Sequence, residues 1–309
     1  MGLFCVVMWV ERAGAFPAPP LFLWPYFTGA VLLILGLDRV LKGDGSPKHG
    51  IDRAVAFGPL FLALPMGVFG TDHFITADFV ATLVPRWIPF HLFWAYFVGA
   101  ALIAAALSII LEKYSVLAAT LLSAMLFSFV LLMHVPNLAT DVRDRFALAV
   151  LLRDLSFSAG ALACAAARAD DWPKHGLAIL VRSIIAVVAV VFGVEHFLHP
   201  QFVPVVPLER LNPSWIPAQA FLAYLTGAAL VASGLSMAFN WRARQAAAWL
   251  GTFTFVIVLI VYLPIMVANA SDIGQGINYL VDTLAFSGAA LLVAGLLAEE
   301  KGALPRVET

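Results

Sequence analysis

Long apolar runs, separated by short stretches of charged and turn-forming residues, make up most of the chain. A helix that crosses a bilayer needs about 20 apolar residues, and each run is close to that length. The runs cover residues 21–38, 54–71, 88–110, 116–134, 147–166, 178–195, 216–237, 246–268 and 278–298. The pattern predicts an all-α integral membrane protein with about nine crossings. The apolar segment Gly2–Val10 is too short to span alone, so we expect a half-buried or interfacial lead-in.

Two parts of the chain repeat each other. The segment Val68-Phe69-Gly70-Thr71-Asp72-His73-Phe74 recurs as Val191-Phe192-Gly193-Val194-Glu195-His196-Phe197, which keeps an acid followed by a histidine. Residues 85–108 and 213–236 are identical at 14 of 24 positions at an offset of 128, with Trp, Pro, Tyr and Gly in step. This similarity indicates an internal duplication.

Each copy contains four of the predicted helices. The chain is therefore divided into a lead-in with one extra helix at 1–50 and two four-helix bundles at 51–170 and 171–309. Because four is even, both copies enter the membrane from the same side, and the repeat is parallel. The extra helix resembles the second helix of a copy, since Pro19, Trp24, Tyr26, Gly29 and Ala30 match Pro89, Trp94, Tyr96, Gly99 and Ala100.

Composition and charge exclude several classes of function. The chain is 62% apolar and 12% charged, which leaves no room for a soluble catalytic domain. With a formal charge of −1 it has no basic surface for nucleic acid. Its two cysteines, Cys5 and Cys164, are far apart and form no CxxC motif, which argues against a thiol–disulfide enzyme, an iron–sulfur cluster or a cysteine-rich zinc site.

The distribution of Lys and Arg between the loops predicts the orientation. Twelve lie on one side of the predicted helices and five on the other. Positive residues are enriched in cytoplasmic loops. We therefore expect a bacterial-type inner-membrane protein whose Lys- and Arg-rich side, which includes the C-terminus, faces the cytoplasm. Both acid–histidine pairs then face the outer side.

Several motifs resemble those of the DoxX-like family of small four-helix membrane proteins. They are G-x-[DE]-H-F, F-V, V-P, W-I-P, Y-x-x-G-A-A-L, H-V-P and R-D-L-S-F-S-x-G. The residues that carry them are Gly70, Asp72, His73, Phe79, Val80, Pro85, Trp87, Ile88, Pro89, Tyr96, Gly99, His134, Pro136, Arg153, Phe157 and Ser158. The first copy matches well and the second more loosely.

The resemblance implies a four-helix fold more firmly than a reaction. Some members of the family are membrane subunits of quinone-linked oxidoreductases such as the thiosulfate:quinone type. The second copy departs from the pattern, because Tyr262 stands in place of His134 and Asp282 in place of Arg153. If the site needs a histidine and an arginine together, only the first copy keeps it.

Ionisable residues inside membrane helices are costly, so each one is a candidate for function. Arg153 could form an ion pair with Asp154, Asp72 or Asp282, or hold an anion or carbonyl ligand through its donor fork. His73 and His196 could cap their helices or relay protons beside their acidic neighbours. If the helices of the first copy bundle together, His73, His134 and Arg153 could meet at one depth.

These residues define a candidate quinone pocket. Its predicted members are His73, His134, Arg153, Tyr96 and Asp72, with second-copy equivalents Glu195, His196, Tyr224, Tyr262 and Asp282. The tyrosines lie three residues before Gly99 and Gly227, a spacing that also suits close helix packing. No catalytic residue is assigned, and no metal, haem or nucleotide site is predicted. Quinone is the candidate cofactor.

The predicted function is that of an inner-membrane subunit of a quinone-linked redox system, which binds quinone or anchors a catalytic partner. The chain has no dinucleotide fingerprint or redox cysteine pair, so we expect it not to be a complete enzyme alone. Its expected partners are membrane lipid and other subunits of a membrane complex. Two alternatives remain: a transporter or ligand-binding protein, although the Gly/Pro-broken helices expected of one are missing, and a purely structural or assembly subunit.

Overall fold

The fold was analysed in a computed structural model that describes residues 21–42 and 50–303, with side chains for 22–42 and 50–298. Within these ranges nine helices are long and apolar enough to cross a membrane. The same ranges contain no strand, and Phe202 and Leu211 form an isolated β-bridge. The prediction of an all-α membrane protein with about nine crossings is confirmed. The predicted lead-in Gly2–Val10 and the match of Pro19 lie outside the described residues.

The nine membrane-length helices are numbered along the chain. They are α1 (Trp24–Lys42), α2 (Ile51–Ile75), α3 (His91–Leu111), α4 (Ser115–Thr140), α5 (Arg145–Arg168), α6 (Lys174–Leu198), α7 (Gln219–Ala238), α8 (Ala243–Ala268) and α9 (Gly274–Ala298). α2 begins with a short helical segment, Ile51–Val55, before its main part, Gly58–Ile75. A short helix, Ala77–Leu83, follows α2. The first sequence repeat corresponds to α2–α5 and the second to α6–α9.

Three of these helices contain a π-helical segment, in which backbone hydrogen bonds join residues five apart instead of four. Val130–His134 interrupts α4 and Val258–Tyr262 interrupts α8, at positions 128 residues apart. A third segment, Gly274–Asn278, begins α9. Each of the three helices continues through its π-helical segment as one membrane-length span. In α4 and α8 the π-helical segment comes just before a proline, Pro136 or Pro264. Proline has no amide hydrogen to donate to the preceding turn, which explains the change of hydrogen-bond pattern there.

The two repeats interlock. α2 packs against α3 of its own repeat and against α9 of the other, while α6 packs against α7 and α5. The last helices of the two repeats, α5 and α9, cross at the centre, where a Cβ added at Gly160 would lie 2.6 Å from Cβ of Ala289. Gly160 and Ala289 are at equivalent positions of the repeats, 129 residues apart. The two four-helix units therefore share one core.

Close contacts at glycine hold the first two helices of each repeat together. A Cβ at Gly99 in α3 would lie 2.9 Å from the carbonyl oxygen of Gly70 in α2. A Cβ added at the equivalent Gly227 in α7 would likewise lie 2.9 Å from the carbonyl oxygen of Gly193 in α6. Small residues allow membrane helices to approach closely, so these four glycines set the same crossing in both repeats.

Candidate functional site

A cavity of about 560 Å³ lies in the first repeat, between α2, α3, α4 and α5, and the start of α9 closes one side of it. Most of its wall is apolar and comes from α3, α4 and the short helix Ala77–Leu83. Its polar side chains include Asp72, His73, His134, Arg153, Asp154, Asn278 and Asp282. An apolar chamber with a few convergent polar groups is typical of a site for a small molecule.

The cavity reaches the outer surface of the bundle between α3 and α4. Phe97 of α3 and Leu132 of α4 line it and are 51% and 45% exposed. Both side chains are apolar and belong to membrane-length helices, so the surface they expose faces lipid. The cavity is therefore accessible from the bilayer to a lipophilic molecule.

Four side chains form a chain of hydrogen bonds and ion pairs on the polar wall of the cavity. His134 donates through Nε2 to Oδ2 of Asp154 over 2.8 Å, and Arg153 donates through Nε to Oδ1 of the same carboxylate over 2.9 Å. The Nη1 atom of Arg153 lies 3.1 Å from Oδ1 and 3.3 Å from Oδ2 of Asp282. We call His134, Asp154, Arg153 and Asp282 the charged chain.

The charged chain joins the two repeats. Asp282 belongs to α9, yet it lies in the cavity of the first repeat because α9 crosses α5 at the centre of the bundle.

Two residues of the cavity wall lie at the ends of π-helical segments: His134 is the last residue of Val130–His134, and Asn278 is the last residue of Gly274–Asn278. Such segments change which face of a helix a side chain occupies, and they are frequent at functional sites.

Asp72 faces the cavity beside Asn278. It is only 8% exposed, and neither of its carboxylate oxygens accepts a hydrogen bond from a described residue. The amide oxygen of Asn278, on the same cavity, is likewise without a donor. Buried polar atoms are normally paired, and each exception needs an explanation. A bound ligand with hydrogen-bond donors would supply one.

His73 presents one nitrogen to the site. Its Nδ1 donates to the carbonyl oxygen of Phe69 over 2.7 Å, so in the neutral ring Nε2 is the acceptor. His73, His134 and Arg153 all line the cavity, as does Asp72. The geometry thus brings together four of the five residues predicted for the first copy.

Tyr96 does not line the cavity. Its ring is 42% exposed and packs against Phe74 of α2, with ring centroids 5.6 Å apart. Neighbouring helical residues point about 100° apart, and in α3 it is Ala95 and Phe97 that face the cavity. Tyr224 of the second repeat has the same position, 45% exposed and stacked on Phe197. Both tyrosines therefore pack between the first two helices of their repeats.

In the second repeat, the loop after α6 occupies the space between the residues equivalent to His73 and His134. His196 accepts a hydrogen bond at Nε2 from the backbone N–H of Val205 over 2.8 Å. The hydroxyl of Tyr262 donates to the carbonyl oxygen of Pro204 over 2.5 Å. Val203, Val205 and Val206 are at most 1% exposed. The second-copy site is therefore filled by its own chain.

The remaining second-copy candidates have other partners. Glu195, which corresponds to Asp72, accepts a hydrogen bond from Nε of Arg145 over 2.7 Å, with Nη2 at 2.6 Å. Asp282 is part of the charged chain. Loop length could have indicated the difference between the repeats, because 15 residues lie between Phe197 and Pro213 whereas 10 lie between Phe74 and Pro85. The extra five residues belong to the loop that fills the second site.

The comparisons with known proteins cover part of the chain. Residues 62–156 match a family described as a domain of unknown function (DUF8561). No curated protein and no solved structure matches the chain. The matched stretch runs from α2 to α5, so it contains Asp72, His73, His134, Arg153 and Asp154. In the described part of the chain, no group of three or more His, Cys, Asp or Glu residues is placed to hold a metal ion.

Proposed function

We propose that the protein is an integral membrane subunit of a quinone-linked redox system, and that the cavity of the first repeat binds the quinone head group. The observation that carries the proposal is an apolar cavity that reaches the lipid-facing surface and has a hydrogen-bonding inner wall. A quinone combines an apolar tail with a ring that forms hydrogen bonds, so its two parts suit the two parts of the cavity. The resemblance to the DoxX-like family supports the same assignment.

Quinone chemistry also needs electrons, and the chain has no dinucleotide motif or redox cysteine pair to supply them. We therefore propose that the electron-donating enzyme is another protein, which this subunit anchors. The distribution of Lys and Arg supports a bacterial-type inner membrane with the C-terminus in the cytoplasm. Purification from native membranes in mild detergent tests the partnership. A redox enzyme in stoichiometric amount would support it, and a protein that purifies without any partner would count against it.

The binding site can be tested with a matched pair of variants. Leu132 lines the mouth of the cavity, and its equivalent Ile260 is 54% exposed on α8 and lines no described cavity. Leu132→Trp should block the mouth of the cavity, whereas Ile260→Trp adds the same bulk at the equivalent exposed place. The purified proteins are placed in lipid nanodiscs, and saturable binding of decylquinone is measured against empty nanodiscs.

We expect one saturable site in the wild-type protein and in Ile260→Trp. We expect Leu132→Trp to lose it. Partitioning identical to that of empty nanodiscs would refute quinone binding. Equal loss in both variants would show that the binding site is not this cavity.

One observation favours transport as a second candidate function. α4, α8 and α9 each contain a π-helical segment, and interrupted helices near a binding site are typical of secondary transporters. In that case the cavity would bind a substrate that crosses the membrane. Uptake or release of a ligand by sealed proteoliposomes would distinguish transport from binding alone.

A further inference from the structure

The unused hydrogen-bonding groups of the cavity differ in kind from those already used. The buried side-chain oxygens of Asp72 and of Asn278 have no donor among the described residues. Nε2 of His73 is a further acceptor, since Nδ1 carries the proton that is donated to Phe69. A ligand that brings hydrogen-bond donors would pair with these acceptors.

The hydroxyl and indole donors that line the cavity are already engaged with the protein backbone. Thr76 donates to the carbonyl oxygen of Asp72 over 2.8 Å, and Ser128 donates to that of Met125 over 2.6 Å. The indole N–H of Trp94 donates to the carbonyl oxygen of Pro89 over 3.0 Å. None of these three groups is free to hold a ligand that can only accept.

The charges of the wall point in the same direction. Arg153 already contacts two carboxylates, those of Asp154 and Asp282. Asp72 adds a third carboxylate without a cation of its own. An anionic ligand would therefore find no unpaired cation at Asp72, while a neutral donor would supply the hydrogen bonds that Asp72 lacks.

We propose that the cavity selects its ligand in the reduced, hydroxyl-bearing form, so that a quinol binds more tightly than the corresponding quinone. A quinol hydroxyl donates to the carboxylate of Asp72, and His73 Nε2 is available to accept a second hydrogen bond. A quinone has two carbonyl oxygens that can only accept, so it has no hydrogen to donate to the oxygens of Asp72. This inference rests on the proposed function and specifies which redox form of the ligand the site prefers.

Three ligands of nearly equal size separate hydrogen-bond donation from shape. Decylquinol, decylquinone and the dimethyl ether of the quinol are compared by saturable binding to the protein in nanodiscs, with the quinol kept reduced under argon. Sites built to bind a hydroxyl strongly reject an analogue without it, so we expect the quinol to bind at least about tenfold more tightly than either of the others. Equal affinity for quinol and quinone would overturn the inference and leave the proposed function in place.

Asp72→Asn tests the acceptor directly, because the amide has the shape of the carboxylate but replaces one acceptor by a donor. We expect quinol affinity to fall about tenfold and the preference over quinone to disappear, since a hydrogen bond to an oxygen of Asp72 is lost. Asp78→Asn is the control, because Asp78 is exposed and does not line the cavity. Protection of Cys164, which is fully buried, from a thiol reagent verifies that both variants are folded.

Three other results have distinct meanings. An unchanged quinol preference in Asp72→Asn would overturn the assignment of Asp72 as the acceptor. Binding of dodecyltrimethylammonium, a cation without a donor, together with no binding of quinol or quinone, would overturn both the inference and the proposed function. Binding of a long-chain phenol without binding of quinol would refute the proposed function, and the preference for quinol with it.

Discussion

Replacing Arg153 by methionine should destabilise the fold strongly. Arg153 is the cation between Asp154 and Asp282, whose side chains are 11% and 6% exposed. Its loss leaves two buried carboxylates without their guanidinium, and breaking a buried ion pair in this way costs about 3–5 kcal/mol. Asp282→Asn is milder, because Arg153 keeps Asp154 and the amide keeps the shape of the carboxylate. We expect about 1–2 kcal/mol for that change.

The combination of the two substitutions gives the most specific prediction. In Arg153→Met, Asp282 is an uncompensated charge, so its conversion to asparagine removes a source of instability. Asp282→Asn should therefore lower the free energy of unfolding in the wild-type background and raise it in the Arg153→Met background. Such a change of sign is expected only for residues that interact directly.

The buried thiol of Cys164 gives a convenient assay. It is fully buried in α5, and Cys5 can be replaced by serine so that a single thiol remains. Labelling of Cys164 by a fluorogenic maleimide during a titration with sodium dodecyl sulfate in mixed micelles reports unfolding. Equal effects of Asp282→Asn in the two backgrounds would refute the ion pair as an energetic unit, whatever the size of each effect.

The same assay checks three further changes. Gly99→Ala should cost about 1–3 kcal/mol, because the added Cβ lies 2.9 Å from a carbonyl oxygen of α2, whereas Gly176→Ala, with nothing within 4 Å, should stabilise by about 0.5 kcal/mol. Tyr262→Phe should cost about 1–2 kcal/mol through its lost hydrogen bond and leave quinol affinity unchanged; weaker binding would contradict a site confined to the first repeat. Arg145→Met should cost about 3 kcal/mol, and adding Glu195→Gln should recover part of this loss; an additive double variant would argue against the pair.

The sequence predicts the membrane helices well because length and apolar character decide whether a segment crosses a bilayer. It also places most of the site. Asp72 and His73 lie in the last turn of α2, His134 lies in the last two turns of α4 and Arg153 in the third turn of α5, so these residues share one end of a bundle. Tyr96 shows the limit of this argument. Depth along a helix follows from the sequence, but rotation about its axis depends on which face packs against its neighbours.

Asp282 is one of the three ion-pair partners predicted for Arg153, and the pair is present, but the repeat alone does not predict that Asp282 lies in the cavity of the first repeat. By alignment it belongs to the second site, opposite Tyr262 and His196. It reaches the first site because α5 and α9 cross where Gly160 and Ala289 meet, and this contact depends on the packing of distant segments. The filled second site was also missed. Its signal is the longer loop after α6, which matters only once Val205 is seen to contact His196.

The crossing of α5 and α9 has a consequence for symmetry. Gly160 meets its own counterpart Ala289, and Arg153 meets its own counterpart Asp282, so the two contacts lie along a pseudo-two-fold axis. A dimer of identical single repeats would place two like residues at that axis, either two guanidinium groups or two carboxylates. Neither pair could neutralise itself. Fusion of two copies into one chain allows the two sides to differ, and in this protein the resulting ion pair lies at the cavity of the first repeat.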